Sequence, residues 1–324
     1  MNAPWALRIG GSSSLWHERG AGLLIGVRPS VMAMASPART AGGALLLDGV
    51  ALRDLTVKRV ADEVRALGAT PTLATVLIGD DAPSQVYVRN KHRQAQLAGM
   101  NSRNETLPVD VSQERAEALV RSLADDPAVT GILVQQPVPA HLDGEALLAL
   151  IPPDKDVDGL TVASMGRLMR GEDSLVPCTP LGVLRLLEHY GATTAGARAV
   201  VVGRSSLVGM PLAVLLARKG SDATVTVAHS RTRDLAAVCR EADILVSATG
   251  QGRSIGRDHV KPGAWVIDVG ISRTSDGLVG DVDFDAVQSI AAAITPMPGG
   301  TGPMTVACLI ETTLTAWRLQ HPRS

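Results

Sequence analysis

The segment SQVYVRNKHRQAQLAGM, residues 84–100, places Tyr87 four residues before Lys91 in a chain with only two tyrosines. Residues four apart lie one above the other on a helix face. A helix here would therefore set an aromatic ring beside an amine. The ring offers a stacking platform for a flat ligand, and an amine in a cleft becomes an acid–base group once its pKa falls. A surface helix with a snorkelling lysine explains the same spacing without chemistry. Two further stretches hold candidates: Gln135 in LVQQPV, and the carboxylates of DKDVDG, which by themselves read as an acidic turn or a cation site. In PMPGGTGPMT, Pro298, Gly299, Gly300, Gly302 and Pro303 impose a tight turn. The missing side chains let its backbone lie against a flat ligand.

These groups need elements to hold them. Ser84 after Pro83 is the expected cap of the Tyr87/Lys91 helix, and Gly99 its stop. Leu52, Leu55, Val60, Val64 and Leu67 recur at helical spacing before Gly68. TLATVLIG and VTGILVQQPVP read as buried strands, with a periodic helix, VSQERAEALVRSLADD, between them. A second series begins near residue 180: a helix capped by Thr179, then strand, glycine turn, helix and strand, with ADILVSATG and AWVIDVGIS as further apolar strands. Such alternation implies βαβ units and parallel sheets. The fold class is α/β with two domains: a βαβ-built unit over 45–179, completed by a last helix within 302–324 that packs back on it, and a Rossmann-like unit over 180–301. No internal repeat is visible.

Composition narrows the function. Aromatics make up 2% of a chain that is 45% apolar, so the core is aliphatic, as buried parallel strands require. A net charge of -1 gives no electrostatic ground for nucleic acid or an anionic membrane as partner. No apolar run reaches the roughly 20 residues of a membrane span. Cys178, Cys239 and Cys308 show neither a disulfide framework nor metal-ligand spacing, and no other ligand cluster implies a metal. They fit a reducing, cytoplasmic compartment. Residues 1–44 carry Arg8, Arg19, Arg28 and Arg39 against a single acid, Glu18. That composition fits a transit peptide, or a disordered tail upstream of a true start at Met32 or Met34.

VVVGRSSLVGMP departs from G-x-G-x-x-G but keeps the working parts of a dinucleotide turn. Gly203 lets the backbone leave the strand, Gly209 allows close approach, and the following helix start presents N–H groups to a pyrophosphate. A purely structural strand–helix turn would use the same glycines. The next strand ends in His229, Ser230 and Arg231, where an NAD site carries a carboxylate. With Arg204 this makes two guanidinium groups, which suit the 2′-phosphate of NADP. A solvated cationic loop is the other explanation of Arg231.

Taken in order, YVRNK, GILVQQPVP, PPDKDVDGLT, PCTPLG, VVVGRSSLVGMP, TVAHSRT, VIDVGI, GDVDF and ITPMPGGTGPMT resemble the bifunctional methylenetetrahydrofolate dehydrogenase/methenyltetrahydrofolate cyclohydrolase family, over roughly residues 45–318. The resemblance implies a cytoplasmic homodimer of one-carbon metabolism, feeding purine biosynthesis, with a folate cleft between two domains. It implies Lys91 as the essential amine, Gln135 as its hydrogen-bond partner, Tyr87 as the stacking ring and Asp158 as the pterin-holding carboxylate. Val134, Pro298 and Gly299 would complete the folate site. NADP would meet Gly203, Arg204, Ser205, His229, Ser230, Arg231, Thr249, Gly250, Ile271, Gly302 and Thr305. Two departures stand out: Gln136 where leucine is common, and Arg93 where a second lysine is common.

The implied chemistry is hydride transfer from methylenetetrahydrofolate to NADP+, then hydrolysis of the methenyl cation in the same cleft. The competing readings are a monofunctional relative, another two-domain NADP dehydrogenase, or a folate- or NADP-binding sensor.

Overall fold

The computed structural model describes residues 38–275 and 277–322. The arginine-bearing stretch up to residue 37, with Met32 and Met34, lies outside them. Residues 38–44 make a turn against the body: Arg39 bridges Leu45, and the Gly42 N–H donates to Gln288 Oε1 at 3.2 Å.

A short strand β1 (Leu45–Leu46) leads into helix α1 (Gly49–Leu67). Asp48 caps this helix by accepting from the Val50 and Ala51 N–H groups, and Gly68 closes it at φ 60°. Leu52, Val60 and Val64 are buried as their spacing predicts, but Leu55 is 44% exposed and belongs to the outer face. Strand β2 (Thr72–Ile78) is followed by α2 (Ala82–Leu97). Its cap is Asp81 rather than Ser84. The Asp81 carboxylate accepts the Ser84 N–H at 2.9 Å, which puts Ser84 inside the first turn. The helix stops just before Gly99, whose φ is 75°.

Next come β3 (Asn101–Leu107), α3 (Gln113–Asp125), β4 (Gly131–Val134), α4 (Gly144–Ala149) and α5 (Val162–Arg170). Helix α6 (Cys178–Tyr190) starts one residue before Thr179, with Pro177 at its cap and no side-chain bond there. The remaining elements are β5 (Arg198–Val202), α7 (Gly209–Ala217), β6 (Thr224–Ala228), α8 (Leu235–Arg240) and β7 (Ile244–Ser247). They are followed by β8 (Trp265–Asp268), β9 (Ser272–Thr274), β10 (Gly277–Val279), α9 (Phe284–Val287), β11 (Ala293–Ile294) and α10 (Thr301–Gln320).

Two parallel sheets result. The smaller has the order β3-β2-β4, and the larger β1-β11-β8-β7-β5-β6; β9 and β10 form a separate antiparallel hairpin. β2, β4, β5 and β7 are buried aliphatic runs, the condition of strands covered on both faces. β3 was not legible in the sequence because NSRNETL is a polar edge strand with no period-2 apolar signal. Helix α10 packs mainly on α6 and α1 and also touches α2 and β4, joining it to the small-sheet unit. Glu311 on α10 accepts from Arg59 of α1 and Arg185 of α6, each at 3.0 Å, so one carboxylate ties the three helices.

The first residue of α1 sits directly on the glycine turn before α10. The Gly49 N–H donates to the Gly299 carbonyl at 2.9 Å, and a Cβ at Gly49 would stand 1.8 Å from the Gly300 oxygen. We expect Gly49→Ala to destabilise the protein by about 1–3 kcal/mol through backbone displacement. Denaturant unfolding measures this, and an unchanged midpoint would refute the close contact.

Candidate active site

Helix α2 follows β2, and residues 135–136 follow β4, so both emerge at the carboxyl edge of the small sheet. The loop after β5 emerges at the carboxyl edge of the large one. Ligands in open α/β sheets bind outside such edges. Between them lies a cavity of about 200 Å³ lined by Lys91, Val134, Gln135, Asp158, Leu207 and Thr305, among others. Residues far apart in the sequence and drawn from both sheets thus share one space.

Lys91 is only 8% exposed. Its Nζ donates to Gln135 Oε1 at 2.9 Å, while Gln135 Nε2 donates to the Gln136 carbonyl at 2.8 Å. The Gln135 N–H is itself held by the Val76 carbonyl at 2.9 Å. The carboxamide is therefore oriented from behind, with its oxygen toward the amine. Burial lowers the pKa of Lys91, against the opposing attraction of Asp158. Burial likewise raises the Asp158 carboxyl, with Lys91 pulling it back down. Both members of the pair are thus pushed toward their neutral forms.

The DKDVDG turn divides its carboxylates. Asp156 accepts from the Leu160 N–H at 3.1 Å and the Thr161 N–H at 2.8 Å, which shapes the turn. Gly159 passes at φ 67°, where a Cβ would strike the Val176 carbonyl carbon at 2.3 Å. Asp158 is left to line the cavity. Cys178 lies beside it, and burial holds its thiol well above the ordinary range. The sequence marks Cys178 as one of three cysteines and Thr179 as a helix cap, neither as a lining residue; their place in the lining depends on where α6 begins. Leu160, Leu207 and Val208 were missed because apolar lining residues carry no local signal.

Tyr87 stands one turn before Lys91 on α2 and is 38% exposed, outside the enclosed part of the cavity. Burial raises its phenol pKa, and the charge of Arg273 on β9 opposes that rise. Pro298 and Gly299, the latter at φ 111°, lie in the turn before α10. Gly302 and Thr305 are in the first turns of that helix, and the Thr305 hydroxyl meets that of Thr179 at 3.1 Å.

On the large sheet, Gly203 leaves β5 at φ 131°, where a Cβ would meet the Ala248 carbonyl oxygen at 2.4 Å. A Cβ at Gly209 would meet the Gly203 oxygen at 2.2 Å, so α7 starts against the end of the strand. Ser205 Oγ accepts from the Val208 N–H at 3.2 Å and stiffens this turn. β5 and β6 are neighbours, with Val202 opposite Ala228, which brings Gly203 and Arg204 beside His229, Ser230 and Arg231. The Arg204 and Arg231 side chains are exposed, and neither forms an ion pair among the described residues. Thr249 and Gly250 follow β7, and Ile271, 42% exposed, follows β8. These residues occupy adjacent strand ends but do not line the 200 Å³ cavity, apart from Thr305.

With this geometry in view, comparison with known proteins is specific. Residues 47–158 match the tetrahydrofolate dehydrogenase/cyclohydrolase catalytic domain, and residues 177–321 match the NAD(P)-binding domain of the same family. The bifunctional protein FolD 2 of Frankia alni is 56% identical over 279 residues, covering 85% of this chain and 96% of that one. The bifunctional protein FolD of Bordetella avium is 52% identical over 277 residues, covering 84% and 97%. The crystal structure of the bifunctional enzyme FolD from Campylobacter jejuni superposes with a TM-score of 0.83 at 38% identity, covering 86% of this chain and all, 100%, of that one. The Trypanosoma brucei methylenetetrahydrofolate dehydrogenase-cyclohydrolase, solved with NADP and an inhibitor, gives a TM-score of 0.82 at 40% identity, covering 86% and 99%. This chain belongs to the tetrahydrofolate dehydrogenase/cyclohydrolase family.

Proposed function

We infer that the chain oxidises 5,10-methylenetetrahydrofolate with NADP+ and hydrolyses the resulting 5,10-methenyl cation to 10-formyltetrahydrofolate. The observation that carries this is the buried Lys91 amine, 2.9 Å from the Gln135 oxygen and facing Asp158 in one cavity. A sensor would not need a desolvated amine, and the similarity to bifunctional relatives supports both activities in one chain.

Hydrolysis puts the oxygen of water on the methenyl carbon. Of the two water protons, one ends on the departing folate nitrogen and one leaves to solvent. A lysine whose pKa is lowered by burial can take the first proton as the neutral amine and return it to that nitrogen. Gln135, held from behind by its own backbone and side-chain bonds, fixes the direction of the amine. Asp158 can accept two hydrogen bonds from the amino group and ring N–H of the pterin. Tyr87, one turn out from Lys91, would stack on the substrate, with Val134, Pro298 and Gly299 beside it.

NADP, when bound, accepts the hydride. The strand ends of β5 and β6 fit it: glycine clearances at Gly203 and Gly209, a helix start, and two exposed guanidinium groups, without an ion pair among the described residues, for a 2′-phosphate. Ser205, His229, Ser230, Thr249, Gly250, Ile271, Gly302 and Thr305 complete the assignment. The chain's task in hydride transfer is orientation, since the folate nitrogens supply the electronic push.

The proposed units are a folate-binding one at 45–179 with 302–324 and a cofactor one at 180–301. Contacts of α10 with α1, α2 and β4 support this division, while β1 joins the large sheet and α6 crosses the boundary. A cytoplasmic homodimer that supplies formyl groups to purine biosynthesis completes the proposal. Three free, buried cysteines favour a reducing compartment, and the open edge of β3 gives a second copy backbone to pair with. No helix among the described residues is long and apolar enough to cross a membrane.

Absorbance of the wild-type protein with methylenetetrahydrofolate and NADP+ should show NADPH formation and a methenyl signal that decays. Lys91→Ala should abolish the decay, and hydrolysis by the wild type should rise with pH to a plateau below the ordinary lysine range. Decay that persists in Lys91→Ala would remove the amine from the reaction. Because the Lys91 charge holds the Asp158 carboxyl down, the same variant should move that carboxyl to higher pKa. A ¹³C titration reads this, and a downward move would refute the coupling. Arg231→Ala should raise KM for NADP+ about tenfold or more while leaving NAD+ use unchanged; equal changes with both would discard the 2′-phosphate role.

A further inference from the structure

The motifs VIDVGI and GDVDF each bury a carboxylate to which nothing above assigns a task. Asp268 is 4% exposed and Asp281 0%. Asp281 concentrates its bonding on one oxygen. Oδ2 accepts the Ser247 hydroxyl at 3.0 Å, the Thr249 N–H at 2.6 Å and the Gly250 N–H at 3.3 Å. Oδ1 is buried with no hydrogen-bond partner among the described residues and faces Gly270, where a Cβ would stand 1.9 Å from it.

Asp268 sets the backbone that presents Asp281. Its Oδ1 accepts the Gly270 and Asp281 N–H groups, each at 3.0 Å, and its Oδ2 accepts the Val282 N–H at 2.9 Å. The missing Cβ of Gly280 makes room for it, since one there would meet Asp268 Oδ2 at 1.9 Å. The Asp268 backbone also receives the Thr295 hydroxyl region and the start of α10. Its N–H donates to Thr295 Oγ1 and its carbonyl accepts from Thr301 Oγ1, both at 2.8 Å. Burial pushes the Asp268 carboxyl up to about 6, and the neighbouring Asp281 adds to that rise. Two acids in mutual repulsion are a poor device for stability alone.

We propose that Asp281 is a positioning residue for hydride transfer, holding the Thr249–Gly250 backbone, through Oδ2, in the shape that receives the nicotinamide cofactor. Asp268 and its glycines hold Asp281 in turn, so that the loops after β7 and β8 and the start of α10 move as one body. The inference rests on the placement of NADP along these loops. Charge matters because Oδ2 serves two consecutive backbone N–H donors and a hydroxyl, bonds that an ionised acceptor strengthens roughly twofold. Hydrolysis needs no NADP, so the second activity of the same chain provides an internal control.

The test is Asp281→Asn, which keeps the shape and removes the charge. We expect KM for NADP+ to rise about tenfold. Hydrolysis of methenyltetrahydrofolate should stay within about twofold of wild type, although the amide NH2 that replaces the unpartnered Oδ1 lowers the melting temperature. An unchanged KM for NADP+, or equal losses of both activities, would overturn the proposal. Amide hydrogen exchange on the wild-type chain tests it even if the variant does not fold. The Thr249 and Gly250 N–H groups should be protected without cofactor, and exchange at the rate of a free loop would overturn it. A wild-type chain that reduces no NADP+ would instead overturn the functional reading, a result visible before any variant is compared.

Discussion

The structure depends on keeping one amine out of water. Lys91 is a side chain that ordinarily carries a hydrated charge, yet it is 8% exposed and bonded to a neutral carboxamide. Burial of this kind is costly unless the charge is paired or given up. The neighbouring acid, Asp158, is itself pushed toward neutrality by burial, so it compensates only in part. Both members are thus biased toward their neutral forms rather than locked as an ion pair.

Holding such a pair requires rigid elements on every side. Gln135 is fixed at the end of β4 by the Val76 carbonyl, and Asp158 stands in a turn that Asp156 shapes through two backbone N–H groups. Helix α6 closes the floor with Cys178 and Thr179, and α10 reaches across with Thr305. The Arg59–Glu311–Arg185 cluster joins α1, α6 and α10. Two arginines share one partly buried carboxylate there, so the acid is fully compensated, unlike Asp158.

Glycines do a different task on the cofactor side. At Gly203, Gly209, Gly270 and Gly280 a Cβ would collide with a carbonyl or a carboxylate, and at Gly49 with the turn before α10. Each collision marks a place where two backbones, or a backbone and a buried acid, are in direct contact. The aliphatic sheet thus carries loops with almost no side-chain spacers between them, which brings adjacent strand ends close together.

Local signals were enough for much of this. The aliphatic runs of β2, β4, β5 and β7 announced parallel strands, since strands covered on both faces need no polar alternation. The ordered motifs named the family, and they also pointed to Lys91, Gln135 and Asp158, which line one cavity. Asp81 rather than Ser84 caps α2 because either residue type can cap, and the choice depends on where the chain turns out of β2. β3 escaped notice because an edge strand can be polar throughout. The closeness of Leu207 and Thr305 to Lys91, and the grip of Asp281 on Thr249, were decided only by tertiary structure. Periodicity and motif spacing describe neighbours along the chain, whereas a cleft between two sheets exists only once both have closed around a common core. A carboxylate 32 residues from its donor meets it only once β7 and β8 have paired.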